Sequence, residues 1–90
     1  MKTIHVIVEG RVQGVWFRDY TERQALQLNL SGWVRNKRDG SVEAMLQGAD
    51  SDVTSMLDWF WQGSPKSRVT NVRAQEVTSE EHYTTFEIRH

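Results

Sequence analysis

The segment "GWVRNKRDGSVEAMLQ", residues 32–47, decides the fold of this chain. "GWVRN" predicts one strand, and "SVEAMLQ" predicts a second, because Val42, Ala44 and Leu46 fall on one face of an extended chain. The Asp-Gly pair at positions 39–40 lies between the two strands and is typical of a hairpin turn. The segment therefore predicts an antiparallel strand pair in the middle of the chain.

The residues before this hairpin predict one strand and one helix. In "TIHVIVE", near the N-terminus, β-branched residues alternate with a period of two, which is typical of a strand. From about Arg18 to Leu30 the chain contains no Gly or Pro, and this stretch predicts the first helix. Asn29 and Gly32 both tolerate turn conformations, so we expect the helix to end near them.

The residues after the hairpin predict a second helix and two further strands. "ADSDVTSMLDWFWQG" carries apolar residues at the spacing of one helix face: Val53, Met56, Leu57 and Phe60. Asp50 or Ser51 is expected to cap this helix, and Gly63 to end it. "RVTNVRAQEV" predicts a fourth strand and "TTFEIRH" a short fifth.

The resulting order, β-α-β-β-α-β with one appended strand, predicts the fold class. It indicates an α+β protein with a ferredoxin-like βαββαβ sandwich. In this arrangement two helices pack on one face of an antiparallel sheet, and a short extra strand follows at the C-terminus. The length of 90 residues predicts a single domain that spans residues 1–90. Because this fold hosts many functions, function must be argued from the site.

Composition narrows the possible partners and the compartment. The chain carries 11 basic and 12 acidic residues, for a formal net charge of −1, which is not typical of a nucleic-acid or membrane-surface protein. Cysteine is absent, so neither disulfides nor thiol chemistry is expected. No apolar run resembles a signal peptide or a transmembrane span. We expect a cytoplasmic monomer with no nucleic-acid partner and no membrane partner.

The loop "GRVQGVWFR", from Gly10 to Arg18, joins the first strand to the first helix and contains no acidic residue. Its glycines allow backbone N–H groups to converge at a helix N-terminus, where the helix dipole is positive. Such a concavity binds an anion. Arg18 adds a planar fork of donors that suits two oxygens of a phosphate. An ordinary strand-to-helix loop with a surface arginine fits the same pattern, and the loop alone does not decide between them.

Asn36 is a second candidate residue, because chain geometry returns it toward the anion loop. A helix from Arg18 to Leu30 carries the chain about 18 Å away at ~1.5 Å per residue. The strand from Gly32 to Asn36 brings it back about 13 Å at ~3.3 Å per residue. Asn36 therefore returns close to the level of the loop. A turn asparagine bonded to its own backbone is the alternative reading.

Two segments, "VEGRVQGVWFR" and "GWVRNKRDGSVEAMLQG", resemble the two signature segments of the acylphosphatase family, and the likeness extends over essentially the whole chain. The resemblance implies hydrolysis of small acyl phosphates to a carboxylate and inorganic phosphate, without a metal or another cofactor. It implies that Arg18 binds phosphate and that Asn36 positions water, and these are the expected catalytic residues. The expected phosphate-binding residues are Arg11, Val12, Gln13, Gly14, Val15, Trp16, Phe17 and Arg18.

Two positions in these segments need comment. Asn29 stands near the end of the first helix, where glycine would be expected from the family, but Asn also accepts the left-handed conformation. Trp16 is large for a loop position and is expected to narrow the mouth of the site.

Alternative functions depend on features that the sequence lacks. An RNA-recognition module has the same element order, but it needs aromatic residues on its first and third strands to stack bases. "TIHVIVE" and "SVEAMLQ" contain none. A regulatory domain that binds an anionic metabolite without turnover is the other alternative, and the presence of both Arg18 and Asn36 favours the enzyme.

Several other residue patterns predict structural roles. His5, His82 and His90 share no ligand spacing, so no metal site is expected. The acidic residues of "ADSD" suit a helix N-terminus. Packing roles are expected for three tryptophans: Trp33, Trp59 and Trp61.

Overall fold

The computed structural model describes all of residues 1–90 and contains two helices and five strands in the predicted order. The elements are β1 (Lys2–Arg11), α1 (Phe17–Gln27), β2 (Ser31–Asn36), β3 (Val42–Gly48), α2 (Asp50–Gln62), β4 (Arg68–Glu76) and β5 (Phe86–Ile88). The predicted ferredoxin-like α+β fold is confirmed.

The five strands form one sheet in the order β4-β1-β3-β2-β5. The pairs β1–β3, β1–β4 and β2–β3 are antiparallel, as predicted. The appended strand β5 pairs with β2 in the parallel direction, with Gly32 opposite Phe86 and Val34 opposite Ile88. The sheet is therefore mixed, and its C-terminal edge strand runs alongside the strand that carries Asn36 at its end.

Both helices pack on the same face of this sheet and contact one another. α1 lies against β2 and β5, whereas α2 lies against β1, β3 and β4. The strands direct every second side chain toward the helices. This packing closes one hydrophobic cluster of sixteen buried residues: Ile4, Val6, Val8, Val12, Val15, Phe17, Ala25, Leu30, Val34, Val42, Ala44, Leu46, Val53, Met56, Phe60 and Phe86.

Helix α1 ends at Gln27, three residues before the expected boundary at Leu30. Asn29 has φ 59° and accepts the left-handed conformation, as expected for Asn at this position. The Asn29 N–H donates to Leu26 O at 3.2 Å, and the Leu30 N–H donates to Ala25 O at 2.9 Å. This pair of bonds is a Schellman motif, which ends the helix and turns the chain back into β2.

Helix α2 begins at Asp50 and ends before Gly63, whose φ is 69°. The expected end at Gly63 is confirmed, but the expected cap by Asp50 or Ser51 is wrong. The N-cap is Ala49, and no side chain caps the helix. Asp50 lies inside the first turn instead, where its negative charge still interacts favourably with the helix dipole.

Candidate active site

The loop between β1 and α1 follows an irregularity in the sheet. The pairing of β1 with β4 shifts register between Glu9 and Gly10, where Thr70 of β4 has no partner on β1. Gly10 has φ 124°, and a Cβ atom at this position would clash with the carbonyl oxygen of Arg68. Gly14, with φ 73°, makes the second turn of the loop. Gly10 therefore requires glycine, whereas Gly14 has open space at its Cβ position and its positive φ only favours glycine.

Three apolar side chains anchor the loop to the core. Val12, Val15 and Phe17 are each less than 5% exposed. The Phe17 ring stacks on that of Phe60, with their centroids 6.1 Å apart. The Ser64 hydroxyl donates a buried 2.7 Å hydrogen bond to Val15 O. These buried contacts consequently fix the conformation of the loop backbone between them.

The backbone N–H groups of residues 12–17 point to no acceptor in the protein, because none of the six donates to a backbone or side-chain oxygen. Helix α1 starts directly after them, and its N-cap, Trp16, supplies no side-chain cap. The positive end of the helix dipole falls in the same place. The loop thus presents a run of unpaired donors, which is the arrangement that binds an anion.

The side chain of Gln13 joins this loop to the hairpin that carries Asn36. Its amide Nε2 donates to Lys37 O at 2.7 Å and to Ser41 O at 2.8 Å, which places one donor group across the base of the β2–β3 turn. Asp39 closes the turn by accepting from the Ser41 N–H and hydroxyl. These two hydrogen bonds hold the pKa of the exposed Asp39 carboxyl below its usual value.

The loop, the first turn of α1 and the end of β2 enclose one cavity of about 370 Å³. Its lining residues are Val12, Gly14, Trp16, Phe17, Arg18, Asp19 and Asn36. The structure therefore brings Arg18 and Asn36 to the same space, from separate elements. The cavity contains no histidine, and Asp19 is its one carboxylate.

Three of the expected phosphate-binding residues do not line the cavity. Arg11 is exposed at the end of β1, opposite Arg68 on β4. The Val15 side chain is buried in the core, and the Gln13 amide binds the hairpin. For Gln13 and Val15 only the backbone N–H remains available to a ligand.

The C-terminal residues lie beside Arg18. Its guanidinium Nη1 is 3.5 Å from the Arg89 carbonyl oxygen and 3.4 Å from His90 Nδ1, and both contacts are exposed. At these lengths they are weak hydrogen bonds that leave the other guanidinium donors free. Sequence reasoning missed this contact and also the presence of Asp19 in the cavity. The acidic residue in the first helical turn was the only available signal for Asp19.

The opposite face of the sheet holds a separate charged cluster of His5, Arg35 and Glu43. Glu43 Oε2 lies 2.6 Å from His5 Nε2, and Glu43 Oε1 accepts from Arg35 Nε at 2.6 Å. Burial raises the pKa of the Glu43 carboxyl, but the hydrogen bonds with His5 and Arg35 outweigh burial and hold this pKa below its usual value. No group of three or more His, Cys, Asp or Glu residues in the protein is arranged to hold a metal ion.

Of the three tryptophans other than Trp16, two pack against other side chains and one is exposed to solvent. Trp33 is 8% exposed, and the guanidinium carbons of Arg35 and Arg89 lie 5.4 Å and 4.9 Å from the centroid of its ring. Trp59 packs against Phe17, with ring centroids 5.8 Å apart. Trp61 is 53% exposed, so the expected packing role does not hold for it. Neither helix is long and apolar enough to cross a membrane.

Fold and cavity together define a class of small ferredoxin-like domains that present backbone N–H donors, an arginine and an amide at the N-terminus of the first helix. The sequence model of the acylphosphatase family matches residues 4–88. An acylphosphatase of Thiobacillus denitrificans is 48% identical over 89 residues, which cover 99% of this chain and 98% of the relative. One of Paraburkholderia xenovorans is 51% identical over 87 residues, covering 97% and 90%.

A solved structure extends this similarity to the coordinates. The crystal structure of an acylphosphatase from Bacillus subtilis superposes with a TM-score of 0.97 at 38% sequence identity, and the match covers 100% of both chains. This chain belongs to the acylphosphatase family.

Proposed function

We propose that residues 1–90 form one acylphosphatase domain that hydrolyses the carboxyl–phosphate bond of small acyl phosphates in the cavity described above. Arg18 and the loop of residues 11–17, through the backbone N–H groups of residues 12–17, hold the phosphoryl group, and Asn36 positions the attacking water. The observation that carries the proposal is the convergence of Arg18, Asn36 and the unpaired loop donors on one cavity.

Phosphoryl transfer of this kind is catalysed mainly by positioning and electrostatics. The negative charge of the phosphoryl group is spread over its three nonbridging oxygens in the transition state. The Arg18 fork binds two of these oxygens, and the loop N–H groups bind the remaining lone pairs. Because Val15 and Phe17 fix the loop in the core, these donors are oriented before the substrate arrives.

The chemical step needs little proton transfer from the protein. The water held by Asn36 forms a bond to phosphorus while the bond from phosphorus to the acyl oxygen breaks, and the electron pair leaves on the carboxylate. An amide cannot act as a base at neutral pH, so a phosphoryl oxygen takes the proton of the water. Asp19 lies in the first turn of α1, where its negative charge interacts favourably with the helix dipole, and we give it this role and no role in proton transfer.

The leaving group provides the sharpest test of this mechanism. Carboxylic acids have a pKa of about 4 to 5, so an acyl phosphate can expel its carboxylate unaided. An alkyl phosphate must expel a far more basic alkoxide, which needs general-acid help worth about 10²–10⁴-fold. We expect kcat/KM to be high for acetyl phosphate, low for aryl phosphates and hardly measurable for serine phosphate.

The experiment measures kcat/KM at fixed pH across leaving groups of graded pKa. An Arg18→Ala variant purified in the same way is the control for contaminating phosphatases. A steep fall in kcat/KM with rising leaving-group pKa supports the mechanism. A flat profile, with serine phosphate cleaved as fast as acetyl phosphate, would contradict it and require a general acid in the cavity.

We also propose a compartment, an oligomeric state and a class of partner for this enzyme. The near-neutral charge supports a small-molecule substrate over a nucleic-acid or membrane partner, and we further propose that the enzyme is a cytoplasmic monomer. Light scattering coupled to size-exclusion chromatography tests the monomer, for which the expected mass is 10.5 kDa. A dimer mass at micromolar concentration, or retardation of RNA in a gel, would contradict this part.

A further inference from the structure

Trp16 stands out among the cavity residues because its large side chain is exposed. It is 72% exposed, although Val15 and Phe17 on either side of it are buried. Those neighbours fix the backbone, so the indole is held outward at the rim of the cavity. It makes no hydrogen bond with another protein group, and it does not pack against the hydrophobic core.

The backbone of Trp16 is also in a conformation that this residue type rarely adopts. Its φ is 63° and its ψ is 21°, in the left-handed region that favours glycine. A glycine would satisfy the turn without strain and without an exposed aromatic surface. Folding therefore gives no reason for a tryptophan here, and a reason at the cavity is required.

The position of the acyl group supplies such a reason. This step rests on the proposed function, in which the phosphoryl group lies at Arg18 and the loop N–H groups. Among the apolar residues that line the cavity, Val12 and Phe17 are each 1% exposed, and only Trp16 offers accessible apolar surface. In-line attack by water at Asn36 sends the acyl group to the opposite side of the phosphorus.

We infer that the Trp16 indole contacts the acyl group and makes the enzyme favour acyl phosphates with aromatic or extended apolar acyl groups. Trp16 is thus a specificity-determining residue. An aromatic acyl group stacks on the indole, whereas an acetyl group is too small to cover it. The phosphoryl end of the substrate makes the same contacts in both cases.

The test compares benzoyl phosphate with acetyl phosphate, whose leaving carboxylates have similar basicity. The measured quantity is the ratio of their kcat/KM values, because a general disturbance of the loop lowers both and cancels. Trp16→Ala keeps a Cβ atom and therefore the same backbone constraint. Trp16→Asn removes the indole with a side chain that tolerates the left-handed region, and it serves if the alanine variant folds poorly. Trp61→Ala, an exposed tryptophan on α2 away from the cavity, is the matched control.

We expect the benzoyl-to-acetyl ratio to fall about twofold to tenfold in both Trp16 variants, the size expected for the loss of one aromatic pair. Trp16→Phe should retain most of the ratio, and Trp61→Ala all of it. An unchanged ratio in Trp16→Ala or Trp16→Asn would overturn the inference and leave the proposed function intact. If the unmodified enzyme hydrolyses neither substrate, the proposed function itself fails.

Discussion

Replacing Gln13 with methionine separates the architecture of the cavity from its chemistry. Methionine has a similar length and no donor, so Gln13→Met removes the hydrogen bonds to Lys37 O and Ser41 O. Neither carbonyl is left without a partner, because Lys37 O still accepts from the Gly40 N–H and Ser41 O from the Lys37 N–H. At about 0.5–1.5 kcal/mol for each hydrogen bond, the free energy of unfolding should fall by about 1–3 kcal/mol.

The effect on activity should exceed the effect on phosphate binding. Asn36 directly precedes Lys37, so the loss of the Gln13 bridge lets the water-positioning amide drift relative to the loop. A misplacement of about 1 Å can cost about 10²-fold in rate. We expect kcat to fall about 10- to 100-fold, while inhibition by inorganic phosphate changes less than threefold, or about 0.6 kcal/mol.

Urea denaturation and steady-state kinetics measure the two effects, and a double-mutant cycle with Asn36→Ala tests their origin. If Gln13 acts by positioning Asn36, Gln13→Met should lower kcat little further in the Asn36→Ala background. The matched control is Gln27→Met, which changes an exposed glutamine at the end of α1 and should alter neither quantity. Full additivity of the two kcat effects would refute the positioning role.

Four further predictions concern the site and the charged cluster. Arg18→Lys should nearly abolish activity in a folded protein, because a point charge does not replace a bidentate fork; near-normal turnover would remove Arg18 from the site. Asn36→Ala should lower kcat about 10²-fold or more while calorimetry still detects phosphate binding; parallel loss of affinity would make Asn36 an anion ligand. Exhaustive treatment with EDTA should leave kcat unchanged, and a loss that Mg²⁺ or Zn²⁺ restores would contradict a metal-free mechanism. Because the folded pKa of Glu43 is lowered, its hydrogen bonds with His5 and Arg35 stabilise the fold above the unfolded pKa of about 4.5, and this contribution is lost as pH falls through the folded value. Urea unfolding between pH 7 and pH 3 should therefore show a weaker pH dependence for Glu43→Gln, and identical profiles would refute the role of its partners, His5 and Arg35.

The parts of the fold that sequence predicted correctly are those that short-range patterns encode. Alternation with a period of two places Val42, Ala44 and Leu46 on the core face, and the Asp-Gly pair at 39–40 places the turn. The stop at Gly63 follows from backbone sterics alone. These features need no knowledge of distant parts of the chain.

The parts that sequence did not predict depend on which segments meet in space. Phe86 and Ile88 indicate a strand with one buried face, but nothing in "TTFEIRH" selects β2 as the neighbour or the parallel direction. The Gln13 side chain is equally uninformative, because its acceptors lie 24 and 28 residues away on the hairpin. The expectation that Asn36 lies near the loop rests on the lengths of a helix and a strand that run in opposite directions. Such lengths place Asn36 at the same height as the loop, but they do not show that the two are in contact.

The strand order β4-β1-β3-β2-β5 has a kinetic consequence. Of its four neighbouring pairs only β2–β3 joins strands that are consecutive in the chain. Folding must therefore close long loops before the sheet gains its stability, and chains dominated by such distant pairings refold in about milliseconds to seconds. The cavity does not exist until β1, α1 and the hairpin have met. During refolding, the circular-dichroism signal of the helices can return early, whereas turnover of substrate returns only with the last tertiary step. The recovery of enzymatic activity therefore measures directly when folding is complete.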